Sequence, residues 1–197
     1  MHIRWIHTLL LSGLLLVSIH GARAALDANK LPDTKRTPQA LYLSAQEAFE
    51  LRSSGQDVVL IDVRTREEAM YLGMPTTADA LIPFMNIDAR VWDPKRKAFR
   101  LVMNDEFEAR LNELLHRKGL DADAKILLLC RSGKRSARAA KFLNQLGYSN
   151  VYTVVDGYEG DMAKSGEVKG RRAVNGWKNA GLPWTYDLDQ SKFFFTD

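Results

Sequence analysis

Short apolar runs separated by amphipathic stretches recur along most of this chain. Residues 58–63 are apolar apart from Asp62 and rich in β-branched side chains, the pattern of a strand buried on both faces. Residues 126–129 and 151–155 repeat that pattern. Helical signals lie between the runs. Glu47 follows Ser44 by three positions and Glu68 follows Thr65 likewise, so each pair predicts a capping box opening a short helix. The first of these helices is expected to run to about Arg52, before Gly55. Phe107, Leu111, Leu114 and Leu115 fall at helical spacing, which predicts a helix capped by Asn104 and ended by Gly119. A further helix is expected from about Ser136 to Leu146, stopped by Gly147. Residues 91–102, with Trp92, Asp93-Pro94, several cations and Phe99, predict a hairpin-like excursion instead of a core element.

Alternating strands and helices of this kind imply an α/β domain with a mainly parallel central sheet flanked by helices. Ligands of such sheets gather outside the carboxyl ends of the strands. Cys130 stands at one of those ends, directly after the run 126–129.

The two ends of the chain read differently. Residues 1–24 combine a basic start, an apolar segment over 9–19 and the small-residue pattern Ala22-Arg23-Ala24, as an export signal cleaved after Ala24 does. The apolar segment is shorter than the ~20 residues that span a bilayer, so no stable membrane insertion is expected after cleavage. The expected location is outside the cytoplasm, and periplasmic if the source is a Gram-negative bacterium. Residues 25–40 read as an extended arm, 41–184 as the domain with insertions near 91–102 and 161–176, and 185–197 as a tail. The aromatic run 193–195 either packs on the domain or docks a partner.

Removing residues 1–24 takes away Arg4 and Arg23 and no acidic residue, so 28 basic against 24 acidic side chains becomes 26 against 24. That balance gives no case for nucleic-acid binding. His2, His7 and His20 leave too, so His116, read as a solvated residue near a helix end, is the one histidine remaining beside the single cysteine. One of each is too few for the usual zinc ligand sets, and a metal site built wholly from carboxylates stays open but has no motif here. A lone cysteine in an exported chain suggests a reactive thiol or an intermolecular pair.

The residues after Cys130 favour the first. Arg131, Ser132, Gly133, Lys134, Arg135 and Ser136 form a short cationic turn leading into a helix. Cations and a helix N-terminus favour the thiolate over the thiol, and backbone N–H groups in such a turn cradle an anion. Small Ser132 and Gly133 let the turn curl tightly. The alternative, an inert cysteine buried as a small apolar residue, suits three cations in the turn poorly.

Residues 130–136 resemble the active-site loop of rhodanese-type sulfurtransferases. Leu60-Ile-Asp62-Val-Arg64 with Glu68 resembles that family's Asp-x-Arg strand end, 147–160 its closing strand and loop, and 180–183 its usual ending. The resemblance implies a rhodanese-like three-layer fold and a double displacement through a Cys130 persulfide, chemistry that needs no metal or other cofactor. It implies partners of two kinds: a small anionic donor such as thiosulfate, and a thiophilic acceptor that is a small molecule or a protein. It assigns Arg131 and Arg64 to donor binding and Asp62 to structural support of the loop. The turn itself offers Ser132, Gly133, Lys134, Arg135 and Ser136 as further substrate-binding residues, with a solvated basic surface as the competing reading of Lys134 and Arg135.

Two departures are visible. The segment after Glu68 is longer than the family's Gly-His-Ile-Pro-Gly-Ala and lacks its histidine, and residues 161–176 are an insertion. With 91–102 these could form a rim that affects donor or acceptor choice. Competing functions are a persulfide carrier serving one protein partner and a phosphatase of the same fold. The phosphatases place an arginine six positions after the cysteine, whereas here Arg135 comes five positions after and Ser136 occupies the sixth. A loop shorter by one residue suits a single sulfur better than a tetrahedral phosphate. Thiol-disulfide exchange lacks a second cysteine to resolve the mixed disulfide.

Overall fold

The computed structural model describes residues 26, 28–55 and 57–195. The export signal expected over 1–24 lies outside them.

Strand β1 (Tyr42–Leu43) leads into helix α1 (Ala45–Ser54), β2 (Val58–Asp62), α2 (Arg66–Leu72), β3 (Met74–Pro75) and β4 (Ala80–Leu81). A hairpin of β5 (Met85–Asp93) and β6 (Ala98–Met103) follows, then α3 (Phe107–Arg117), β7 (Lys125–Leu129), α4 (Lys134–Gln145), β8 (Val151–Val154) and β9 (Trp184–Thr185). Five strands form one parallel sheet in the order β1-β8-β7-β2-β4. Parallel neighbours need crossovers, and the helices supply them.

The register of β2 on β7 sets Asp62 beside Leu129, so the ends of both strands lie at one level, with Cys130 next in line. Strand periodicity then divides the core in two. Val59, Ile61, Ile126, Leu128 and Cys130 face α3 and α4, whereas Val58, Leu60, Leu127 and Leu129 face α1, α2 and the fully buried Trp177. This is a three-layer α/β architecture with helices on both faces of a parallel sheet.

Both expected capping boxes are present. Ser44 and Glu47 exchange bonds at the start of α1, and Thr65 and Glu68 do so at α2. Asp79 joins three elements: it pairs with Arg52 of α1 at 2.7 Å and with Lys118 after α3 at 2.6 Å, and accepts from the Leu60 N–H at 2.8 Å.

Several expectations need correction. Asn104 is not the N-cap of α3; Glu106 holds that position. The Asn104 amide instead closes the preceding turn, donating to Pro83 O at 2.7 Å and accepting from Glu106 N at 3.2 Å. Helix α4 starts at Lys134, earlier than expected, because Gly133 can take the left-handed conformation (φ 88°) that ends the turn. The hairpin is real but begins at Met85, since β5 continues well before the polar run that marked it.

The arm is docked, not extended. It makes short 3-10 turns at Ala28–Lys30 and Asp33–Lys35. Lys35 is buried and pairs with Asp161 at 2.9 Å, and the Gln39 amide donates to Ala140 O at 3.0 Å. The tail also packs: Phe193 bridges to Leu81, and Phe194 is buried beneath the Arg117 guanidinium, 4.3 Å from its ring. Insertion 161–176 contains an isolated bridge, Met162 to Arg172, and no helix.

Candidate active site

Cys130 directly follows β7, and its thiol is free and buried, 1% exposed. Sγ lies 3.6 Å from Ser136 Oγ, which in turn donates to Gly133 O at 3.0 Å. The loop carbonyls are engaged on the far side. Cys130 O accepts from Tyr158 N at 2.8 Å, and Arg131 O from Glu159 N at 3.0 Å and Gly160 N at 3.2 Å. The N–H groups of residues 131–136 take no backbone partner among the described residues. Some of this follows from helix geometry, because the first N–H groups of α4 have no carbonyl a turn earlier. The result is a run of unspent donors next to a thiol, with the positive end of a helix added.

A cavity of about 360 Å³ opens over this loop. Cys130, Arg131, Ser132, Lys134 and Arg135 line it. So do four groups the sequence reading did not assign to the site: Arg138 on α4, Met85 and Leu101 of the hairpin strands, and Arg96 at the hairpin turn. Thr34 of the docked arm completes the wall. Among the described residues no carboxylate lines the cavity. A second cavity of about 380 Å³ lies between α2, the hairpin and the tail, against Arg66, Arg110 and Phe194. It is the larger of the two but is lined by neither the thiol nor the cationic turn that follows it.

The remaining expected site residues divide. Gly133 and Ser136 are buried behind the loop, Ser136 in contact with the thiol. Arg135 reaches the cavity, but its guanidinium grips Glu68 at 2.6 and 2.8 Å. The pair ties the start of α4 to α2. Arg64 is absent from the cavity. It is wholly buried, with its guanidinium bound to both Asp62 oxygens at 2.6–3.0 Å and to Gly73 O at 2.7 Å, under the Tyr158 ring at 3.8 Å. Its expected contact with the donor is therefore corrected to a structural role. Asp62, expected to support the loop, spends its carboxylate bonds on Arg64; among the described residues no hydrogen bond links that carboxylate to residues 130–136, and its strand reaches the loop only by pairing with β7.

The 161–176 insertion brings Arg172 to the rim. Its Nη1 donates to Gly160 O at 2.6 Å, and burial, followed by the like charge of Arg131, lowers its pKa. Among the described residues no group of three or more His, Cys, Asp or Glu side chains comes together.

Burial pushes the Glu68 carboxyl up, but its bonds and charge attraction with Arg135, and the Thr65 N–H, outweigh burial and hold it below the ordinary carboxylate value. A depressed carboxylate pKa contributes stability above the unfolded-state value, and that contribution is lost as pH falls through the folded value. Wild type is thus expected to lose stability more steeply than Glu68→Gln on acidification below about pH 4.5. Urea midpoints measured at several acidic pH values read the difference; parallel curves would remove the charge-pair argument.

Taken together, fold and site define a parallel α/β domain that holds one thiol at a strand end, beneath a cationic turn and a helix N-terminus. Comparison with known proteins agrees. A model of the rhodanese-like domain matches residues 44–164. An uncharacterised protein of Rickettsia conorii is 32% identical over 146 residues, 73% of this chain and 96% of the relative. A thiosulfate sulfurtransferase of Actinobacillus succinogenes is 35% identical over 63 residues, 32% of this chain and 42% of that enzyme. The crystal structure of Rv0390 from M. tuberculosis aligns with a TM-score of 0.58 at 27% identity, over 75% of this chain and 98% of that one. This chain belongs to the rhodanese-like domain family.

Proposed function

We propose that this protein is a sulfurtransferase that carries a sulfane sulfur on Cys130, loaded from thiosulfate or a related anionic donor. The observation that supports this most directly is the free thiol beneath unspent N–H donors and cations that, among the described residues, take part in no ion pair, in a cavity that no described histidine lines. In the first step the Cys130 thiolate attacks the outer sulfur of thiosulfate. An S–S bond forms to Sγ, the S–S bond of the donor breaks, and sulfite leaves with the electron pair. Arg131 and Lys134 draw the dianion in, and the N–H groups of residues 131–136 stabilise the negative persulfide. Ser136 Oγ is close enough to turn its hydrogen from Gly133 O toward the charged sulfur. In the second step an acceptor thiol takes the outer sulfur, its proton passes to the new persulfide, and the Cys130 thiolate is restored.

The Arg135–Glu68 pair bears on the phosphatase alternative. The arginine nearest in spacing to a phosphate clamp is already bound to a carboxylate. The pattern of residues 1–24 supports placing this activity outside the cytoplasm.

Intact-mass measurement tests the reading. Incubation with thiosulfate is expected to add one sulfur per chain, and Cys130→Ser is expected to add none. No gain in wild type, or an equal gain in the variant, overturns the proposal.

A further inference from the structure

Six cations border the cavity or its rim, and their pairing is uneven. Arg135 is held by Glu68, and Arg172 is bound to the Gly160 carbonyl. Among the described residues, Arg96, Arg131, Lys134 and Arg138 take part in no ion pair. The chain holds these four like charges around one cavity, where they repel one another until an anion enters. A donor such as thiosulfate brings two negative charges, and Arg131 and Lys134, beside the thiol, suffice to meet them. Arg96 and Arg138 are left over.

Those two come from different places. Arg138 follows Lys134 by one helical turn, so both project from one face of α4, and its Nη1 rests 3.2 Å from Met85 Sδ. Arg96 is carried in by the hairpin turn, where the Asp93 carboxylate accepts the Lys95 and Arg96 N–H groups at 3.0 and 3.1 Å. The guanidinium of Arg96 is not used in shaping that turn. The aliphatic part of the same cavity wall is made by Met85, which Arg138 touches, and Leu101.

The volume gives a second constraint. At about 360 Å³ the cavity falls at the lower end of the ~300–1,000 Å³ that encloses small organic ligands. It has room for more than thiosulfate, and the arm and hairpin wall it on two sides.

We infer that Arg96 and Arg138 form a carboxylate-binding subsite for the sulfur acceptor, a small thiol bearing two or more carboxylates. This rests on the sulfurtransferase reading and deepens it. The carboxylates dock on the two arginines, and the carbon skeleton lies along Met85 and Leu101. The thiol is thereby aimed at the outer sulfur on Cys130. Its attack forms an S–S bond to that sulfur, breaks the bond to Sγ and returns the electron pair to Cys130.

Mercaptosuccinate and thioglycerol test this, since they share a three- or four-carbon thiol skeleton and differ in carrying carboxylates or hydroxyls. Binding is measured first, by titration calorimetry on Cys130→Ser protein, where no sulfur transfer is needed. Mercaptosuccinate is expected to bind and thioglycerol not to. Adding R96Q and R138Q is expected to weaken mercaptosuccinate binding by about tenfold or more, equivalent to roughly 1.4 kcal/mol. Discharge of the loaded persulfide is measured next. The R96Q/R138Q protein is expected to lose about tenfold in kcat/KM for mercaptosuccinate and to stay within about twofold for thioglycerol. Absence of mercaptosuccinate binding, an equal loss for both thiols, or no loss for either overturns the subsite, including the case where only an acidic polypeptide binds. Failure of thiosulfate to load wild-type Cys130 overturns the sulfur-transfer reading instead, and mass measurement shows which has failed.

Discussion

Asp62→Ala is expected to destabilise the protein by about 3–5 kcal/mol, the effect of leaving a buried charge without its partner. Arg64 has no route to solvent: both side chains are fully buried, and the guanidinium spans both Asp62 oxygens. Burial alone would lower the Arg64 pKa, but the Asp62 charge and hydrogen bonds, then Glu68, outweigh it, so the guanidinium stays charged. Removing Asp62 leaves it with Gly73 O and the Tyr158 face, and Nη1 already lacks a hydrogen-bond partner. The companion experiment separates charge from packing. Asp62→Leu combined with Arg64→Met is expected to recover most of the loss, since apolar replacement of a buried pair is often neutral or stabilising. Urea unfolding reads both. A loss below about 1 kcal/mol in Asp62→Ala would mean that the pair behaves as an exposed one.

That pair also marks where sequence reasoning stopped. Asp62 and Arg64 sit on one strand end two positions apart, and a motif at the carboxyl end of a parallel strand points to a ligand. Burial decides otherwise, and burial depends on Tyr158 and Gly73, which no local pattern connects to Arg64. The central strands were legible because their apolar runs are continuous, and α1 and α2 because each capping box is complete within four residues. Asn104 misled because an Asn ahead of a helix closes turns as readily as it caps.

The site divides the same way. Residues 130–136 are contiguous, so the thiol, the turn and the cations around it could be read together. Arg138 was within reach of helical spacing, four positions after Lys134, but the expected start of α4 at Ser136 left Lys134 off the helix and hid the shared face. Arg96 and Thr34 reach the cavity from a hairpin and an arm remote in the chain, and only the fold brings them there. The rim suspected from the insertions is thus partly resolved: 91–102 supplies Arg96 and Leu101 to the wall, and 161–176 supplies Arg172 near Arg131.

Gly133→Ala is expected to cost about a hundredfold in the rate of Cys130 persulfide formation, as a displacement near 1 Å at a reacting centre does. Two effects combine at this position. The backbone is left-handed, φ 88°, and a Cβ there would fall 2.1 Å from Val155 O and 2.7 Å from Val155 C. Neither contact is with a side chain that could swing away. Gly157 makes the reciprocal approach, where a Cβ would meet Cys130 O at 2.5 Å and Ser132 N at 2.6 Å. The loop and residues 155–157 therefore press backbone to backbone, and a methyl group must push the whole turn off the sulfur. Gly147, at the other end of α4, separates strain from collision: its φ is 94°, yet a Cβ there would meet nothing within 4 Å. Gly147→Ala is expected to lose about 1–2 kcal/mol of stability from the left-handed backbone alone and to keep its loading rate. Rapid-quench mass spectrometry on both variants, at a temperature where circular dichroism shows each folded, measures the contrast. Equal loading rates in the two variants would show that the close approach to Val155 does not set the position of the turn.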